Sequence, residues 1–97
     1  MKKLDQIKSK IAHNKAELRR RYGVCEIEIF GSYVRGEQKK DSDLDVLVEF
    51  ERPVDLLDVV GLEMFLSEVL QIKTDVVLKR SIRPELKDII LGEAVPV

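Results

Sequence analysis

The chain has 97 residues, of which 44% are hydrophobic and 36% charged, and its 17 basic and 18 acidic residues leave a net charge of −1. These values exclude a disordered or low-complexity chain and give no general electrostatic affinity for nucleic acid or an anionic membrane, so we expect no direct nucleic-acid binding. The length predicts one domain over residues 1–97. The single cysteine predicts a protein without internal disulfides. Because no apolar run approaches the roughly 20 residues that a membrane-spanning helix needs, we also expect a cytoplasmic protein.

The first predicted element is an amphipathic helix over residues 2–22. Its apolar residues recur at the three- and four-residue spacing of one helical stripe: Leu4, Ile7, Ile11, Leu18 and Tyr22. Arginines 19–21 lie in its last turn, where cations meet the negative end of the helix dipole. Gly23 then predicts the end of the helix.

Alternating residues from 24 to 30 predict a strand after this helix. Cys25 shares a face of the strand with two isoleucines, so we expect a small buried side chain there rather than a nucleophile. A short helical segment, Tyr33-Val34-Arg35, follows Gly31-Ser32 and is closed by Gly36.

The rest of the chain alternates between predicted strands and helices. A polar loop over 37–42 leads into a predicted strand over 43–50. A helix capped by Asp55 follows over 56–70, and then a strand over 73–78. The last predicted helix is short and starts at Pro84, with Leu86, Ile89 and Ile90 on one side. A tail over 93–97 follows. This order predicts a small mixed β-sheet with helices packed against it, in the α/β (α+β) class.

Two aspartates stand at the first end of the second predicted strand. Residues two apart on a strand share a face roughly 6.5–7 Å apart, and Asp43 and Asp45 would there repel each other by about 2–3 kcal/mol at an effective dielectric near 20. Alone, the pair also fits an exposed strand face. Because the rest of the strand is apolar, a bound cation explains the acids better. Mg²⁺ takes one or two carboxylates and completes its octahedron with water and phosphate oxygens.

Two further features suit a metal-bound phosphate. Gly31, directly after a strand, allows a tight turn and a close approach of phosphate, and the Ser32 hydroxyl and the N–H groups that open the next helix point at an anion. Asp75 lies in a β-rich segment, where an unpaired charge is costly unless it faces the same cleft. Each feature alone also fits a plain turn or an edge-strand acid. Together they predict one cleft for magnesium and triphosphate.

The pattern of these residues resembles the nucleotidyltransferase superfamily of DNA polymerase β type. The resemblance rests on Gly31-Ser32, ten intervening residues, Asp43-x-Asp45 and the later acid Asp75. The runs over 30–36 and 42–48 are similar to the minimal nucleotidyltransferase branch, whose small members are often encoded beside a HEPN-domain partner in toxin–antitoxin pairs. The similarity covers nearly the whole chain. Val34 departs from the branch, which commonly carries alanine at that position.

The resemblance implies a role for each of these residues. Asp43 and Asp45 would hold Mg²⁺, and Asp75 would be the third metal ligand and the general base. Gly31-Ser32 would contact the β- and γ-phosphates of ATP. Arg35 would add a positive charge near the phosphates or, alternatively, anchor its loop to the sheet.

The resemblance also implies an activity, which is AMP transfer from ATP to a tyrosine of a cognate HEPN RNase toxin that is thereby neutralised. Because the length leaves no second domain to position an acceptor, we expect a partner protein to bring it or a homo-oligomer to complete the site. Two alternatives remain open. One is a non-catalytic antitoxin that binds and occludes its toxin, and the other is a transferase acting on a small molecule such as an aminoglycoside.

Overall fold

The structure, a computed structural model, describes residues 3–97, so the predicted helix start at residue 2 lies outside the described residues. The mixed α/β class is confirmed, and most predicted boundaries are met within one or two residues. In chain order the elements are α1 (Leu4–His13), α2 (Lys15–Tyr22), β1 (Val24–Phe30), α3 (Ser32–Arg35), β2 (Leu44–Phe50), α4 (Leu56–Leu70), β3 (Thr74–Leu78), a 3₁₀ turn (Lys79–Ser81), α5 (Pro84–Glu93) and β4 (Val95–Pro96).

The strands form one mixed sheet in the order β3-β2-β1-β4. The second strand is an inner strand, antiparallel to β1 and parallel to β3. The parallel register sets residues 44–48 beside residues 74–78. The first ends of β2 and β3 therefore meet at the same edge of the sheet.

Helices α1, α2 and α4 pack against one face of this sheet. The alternate residues Leu44, Val46 and Val48 of β2 are fully buried in the cluster that the helices close. The helices contribute side chains at helical spacing, all fully buried: Ile7, Ile11, Leu18, Leu62, Leu66 and Leu70. Burying each such side chain stabilises the fold by about 1.5–3 kcal/mol. With this layer on one face, the side chain of Asp45 lies on the other.

The prediction of a single helix over residues 2–22 is wrong in one respect, because the helix is interrupted at Asn14 and divided into α1 and α2. The Asn14 side-chain amide donates to the carbonyl of Lys10 at 2.8 Å, and its backbone N–H donates to the carbonyl of Ile11 at 2.9 Å. A side chain that competes for helical carbonyls in this way offers the backbone an alternative to a continuous helix. The apolar stripe still faces one core, and Gly23 ends α2 in the left-handed conformation as predicted.

The prediction that Cys25 is buried is also wrong. Val24 pairs with Phe50 and Glu26 with Glu49, so Cys25 is the extra residue of a β-bulge. The bulge turns Val24 into the core, and Cys25 is exposed, with Sγ donating to the carbonyl of Glu49 at 3.2 Å.

The last helix covers little apolar surface. The predicted cap of α4 is confirmed, since Asp55 and Asp58 each accept a hydrogen bond from the other's backbone N–H. By contrast, α5 has no buried residue, and Leu86 and Ile89 stay 43% and 66% exposed. The tail predicted after α5 forms the edge strand β4 on β1.

Along residues 3–97 we find no helix with the length and apolarity to cross a membrane.

Candidate active site

The three predicted acids meet at the first ends of β2 and β3. Asp45 and Asp75 are direct partners in the parallel register, so their side chains emerge on the same face of the sheet. Asp43 immediately precedes β2, and its charge is close enough to raise the pKa of Asp75. A backbone hydrogen bond of 2.8 Å from Leu44 to the carbonyl of Lys73 closes this edge of the sheet.

The pKa of Asp45 and the pKa of Asp75 are both raised. Partial burial, followed by the charges of Asp75 and Asp43, raises the pKa of Asp45 above its ordinary value, and nearby Arg35 opposes that rise. Partial burial and the neighbouring Asp43 likewise raise the pKa of Asp75. The cluster is therefore an electrostatically unfavourable arrangement that a cation would relieve.

This repulsion predicts that Asp75→Asn stabilises the metal-free protein. Two charges about 5 Å apart in well-solvated surroundings repel by about 0.8 kcal/mol, which corresponds to roughly 3–6 °C in the melting temperature of a domain of this size. The increase should be larger at pH 7 than at pH 4, because groups whose pKa is raised by folding lose stability as the pH rises through the folded-state pKa. Thermal denaturation in EDTA measures the increase in melting temperature, and Asp88→Asn, a substitution of an exposed aspartate, is the control. No increase in the melting temperature of Asp75→Asn would contradict the repulsion.

The turn between β1 and α3 brings Gly31 against this cluster. Gly31 has φ +86° and ψ −155°, a conformation that is essentially restricted to glycine. A Cβ on Gly31 would overlap Oδ2 of Asp45. The structure therefore brings together Gly31 and Asp45, the turn and the acid that the sequence analysis assigned to phosphate and metal.

Ser32 is the first residue of α3, and Gly31 occupies the N-cap position. The first N–H groups of a helix have no partner within the helix. Ser32 is half-buried, and its N–H is one of these first groups of α3.

Arg35 anchors its loop and also carries its charge near the acids. Its charge is close enough to Asp45 to oppose the rise in that group's pKa. Its guanidinium also anchors the turn, with Nε donating to Glu37 at 2.7 Å and Nη1 donating to Glu93 at 2.6 Å. Glu93, from the last turn of α5, also accepts a 2.8 Å hydrogen bond from the N–H of Gly31.

Two residues at the site escaped the sequence analysis. Glu93 is one, and no local sequence signal marks it, because only the path of α5 and β4 brings it back to the turn. Lys73 is the other, with Nζ 3.7 Å from a carboxylate oxygen of Asp43. Its place follows from the parallel pairing of β2 with β3, since the register that aligns Asp45 with Asp75 also aligns the residues two positions before each.

The donor chemistry of the site fits magnesium. Asp45 and Asp75 supply the two adjacent carboxylates that Mg²⁺ uses beside water and phosphate oxygens. Over the described range 3–97, no three acidic, histidine or cysteine side chains are already arranged to hold one ion. A metal shared by all three acids therefore requires their side chains to rearrange.

A groove of about 380 Å³ opens on the β3 side of the acids. Asp75 and Lys73 line it together with Met64 of α4, which is 68% exposed. Asp45 and Asp75 thus have different neighbours. Asp45 lies under the Gly31 turn, whereas Asp75 borders an open groove.

Comparison with known proteins assigns this constellation to a family. Residues 12–97 match the family model described as the nucleotidyltransferase domain. A relative from Thermococcus cleftensis, the protein adenylyltransferase MntA, is 46% identical over 94 residues, which are 97% of this chain and 95% of the relative.

Solved structures agree in sequence and in fold. A protein described as a minimal nucleotidyltransferase is 38% identical with a TM-score of 0.75, and the match covers 94% of this chain and 95% of that one. A toxin–antitoxin structure with AMP-PNP is 27% identical with a TM-score of 0.76, over 92% of this chain and 70% of that one.

Proposed function

This chain belongs to the nucleotidyltransferase domain family, in its minimal nucleotidyltransferase branch, and from that premise we propose that it is an antitoxin that transfers AMP from ATP to a tyrosine of a cognate HEPN RNase toxin and so neutralises it. The proposal is supported by the relative named a protein adenylyltransferase, which this chain matches over nearly its full length. The similar toxin–antitoxin structure with AMP-PNP supports both the partner class and an adenine nucleotide.

One observation carries the catalytic part of the proposal, which is the side-by-side placement of Asp45 and Asp75 next to the Gly31 turn. In the reaction, the tyrosine oxygen forms a bond to the α-phosphorus of ATP, the bond between the α-phosphorus and its bridging oxygen breaks, and pyrophosphate leaves. The tyrosine proton passes to a carboxylate. Magnesium bound by the aspartates would neutralise negative charge on the phosphates and orient them.

The surroundings of the acids support different roles for Asp45 and Asp75. Asp45 lies against the Gly31 turn, so we assign it to the nucleotide side. Asp75 is among the residues that border a groove between β3 and α4, so we assign it to the acceptor side, as the carboxylate that takes the tyrosine proton. Arg35 holds positive charge at the phosphate end of the site.

Mass spectrometry of the partner toxin tests the proposed activity. After incubation with ATP and Mg²⁺, we expect a toxin tyrosine to gain one or more AMP units, and we expect the toxin's RNase activity to fall in parallel. No adduct with the native protein would overturn the proposal.

The same assay separates the two alternatives. If Asp45→Asn neutralises the toxin as well as the native protein does, occlusion by binding replaces transfer as the mechanism. If labelled AMP appears on aminoglycoside hydroxyls and not on the toxin, the acceptor is a small molecule.

A further inference from the structure

The carboxylate of Glu93 joins two parts of the phosphate-binding turn. Its Oε2 accepts the N–H of Gly31 at 2.8 Å, and its Oε1 accepts Nη1 of Arg35 at 2.6 Å. The side chain is only 17% exposed. Burial alone would raise the pKa of Glu93, but the hydrogen bonds from Arg35 and Gly31 outweigh it and lower the pKa, so the group is ionised at neutral pH.

We infer that Glu93 is a positioning residue for the triphosphate, which it serves by holding the Gly31 turn and the Arg35 guanidinium in their binding geometry. The inference rests on the proposed function, because it assigns a role within the same nucleotide site. Glu93 touches neither nucleotide nor acceptor in this role, and it acts through its two partners.

The backbone on both sides of Glu93 is held in place. Glu93 ends α5, and the next N–H, from Ala94, donates to the carbonyl of Ile90 at 2.9 Å. Val95 then pairs with Ile29 of β1, two residues before Gly31. A carboxylate carried between these two attachments is suited to fixing the turn, because it is anchored to the same strand that the turn leaves.

The hydrogen bond to Glu93 also decides which donors face a phosphate. Because the N–H of Gly31 is bonded to Glu93, it is not available to a phosphate. Gly31 instead leaves space for a phosphate to approach the backbone closely, and the N–H of Ser32 supplies the hydrogen bond to that phosphate. The predicted contact of Gly31-Ser32 with phosphate is thereby divided between the two residues.

The same geometry orients Arg35. Its Nε and Nη1 are taken by Glu37 and Glu93, while Nη2 makes no protein hydrogen bond within residues 3–97. The planar guanidinium is then fixed by one hydrogen bond to each of two carboxylates, which leaves Nη2 for an anion. Hydrogen bonds between charged groups are roughly twice as strong as those between neutral groups.

The test compares Glu93→Ala, Glu93→Gln and Glu37→Ala in steady-state AMP transfer. We expect Glu93→Ala to raise the KM for ATP by about tenfold or more, the usual effect of losing a charged hydrogen bond, with a smaller change in kcat. Glu93→Gln keeps an acceptor for Gly31 and should restore most of the affinity. Glu37→Ala is the comparison variant, since it removes the other carboxylate on Arg35 but no bond to Gly31, and its KM for ATP should rise less than that of Glu93→Ala.

A second measurement does not depend on activity. The Gly31 amide proton, bonded to a carboxylate, should resonate downfield in the native protein and in Glu37→Ala, and should move upfield in Glu93→Ala. If Glu93→Ala unfolds below the assay temperature, the comparison of native protein with Glu93→Gln carries the test, and a measurably higher KM for ATP in Glu93→Gln is expected.

The outcomes separate this inference from the proposed function. An unchanged KM in Glu93→Ala with an active native protein overturns the positioning role alone. A lowered KM also overturns it, because it would make the carboxylate a competitor of the phosphates. A native protein that neither binds ATP by calorimetry nor transfers AMP overturns the proposed function, and the role of Glu93 falls with it.

Discussion

Asp45→Asn is expected to lower kcat/KM for AMP transfer by about a thousandfold. Asp45 is the acid that lies both beside Asp75 and against the Gly31 turn, so its amide replacement removes charge where metal and phosphate would meet. A cation in such a site contributes several kcal/mol to transition-state stabilisation, and each 1.36 kcal/mol is about tenfold in rate. The fold should remain, because asparagine has nearly the same shape and the change relieves repulsion with the neighbouring acids.

Initial rates of AMP incorporation into the toxin, with circular dichroism of each variant, measure this effect. Asp41→Asn is the matched control, since Asp41 is an exposed aspartate two residues before Asp43 and the substitution is chemically identical. Asp43→Asn should resemble Asp45→Asn in activity. Rates for Asp45→Asn within about tenfold of the native protein would mean that the acids are not the metal-binding pair.

Gly31→Ala is expected to damage both stability and transfer. An L-residue at φ +86° and ψ −155° is strained by about 1–3 kcal/mol, and the added methyl group would overlap Oδ2 of Asp45. Relieving the overlap moves either the acid or the turn, and displacing a positioning group by about 1 Å can cost 100-fold in rate. We therefore expect a lower melting temperature and a loss of at least about 100-fold in kcat/KM.

Gly36→Ala separates the two causes. Gly36 also has a positive φ, of +71°, but a Cβ there would meet no atom within 4 Å. It should show the destabilisation, of about 1–2 kcal/mol for the left-handed backbone, with most of the transfer activity retained. If urea denaturation and rate measurements place Gly31→Ala and Gly36→Ala at the same activity, the contact of Gly31 with Asp45 has no catalytic importance.

Much of the architecture was predictable because it follows from local patterns. The apolar spacing over 56–70 with Asp55 at the start predicts α4 to the residue, since an N-cap and a buried stripe are both properties of neighbouring residues. The glycines at 23, 31 and 36 mark three turns, and all three have the positive φ that favours glycine.

The errors arose where a competing local interaction was invisible in the pattern. Asn14 breaks the first helix because its side chain takes the carbonyl of Lys10. Cys25 is displaced from the core because the pairing of β1 with β2 contains one extra residue, and a one-residue change of register reverses the face of every side chain beyond it.

By itself, the sequence identified the candidate residues for the proposed chemistry. Gly31-Ser32, Asp43, Asp45 and Asp75 are of types and spacings that suit phosphate and magnesium, and their place at strand ends follows from periodicity. What only the tertiary structure decided is the set of contacts between distant segments: Asp45 beside Asp75, Lys73 on Asp43, and Glu93 on the Gly31 turn. These contacts depend on the parallel pairing of β2 with β3 and on the return of β4 to β1. Such pairings join residues far apart in the chain, and no short-range pattern encodes them.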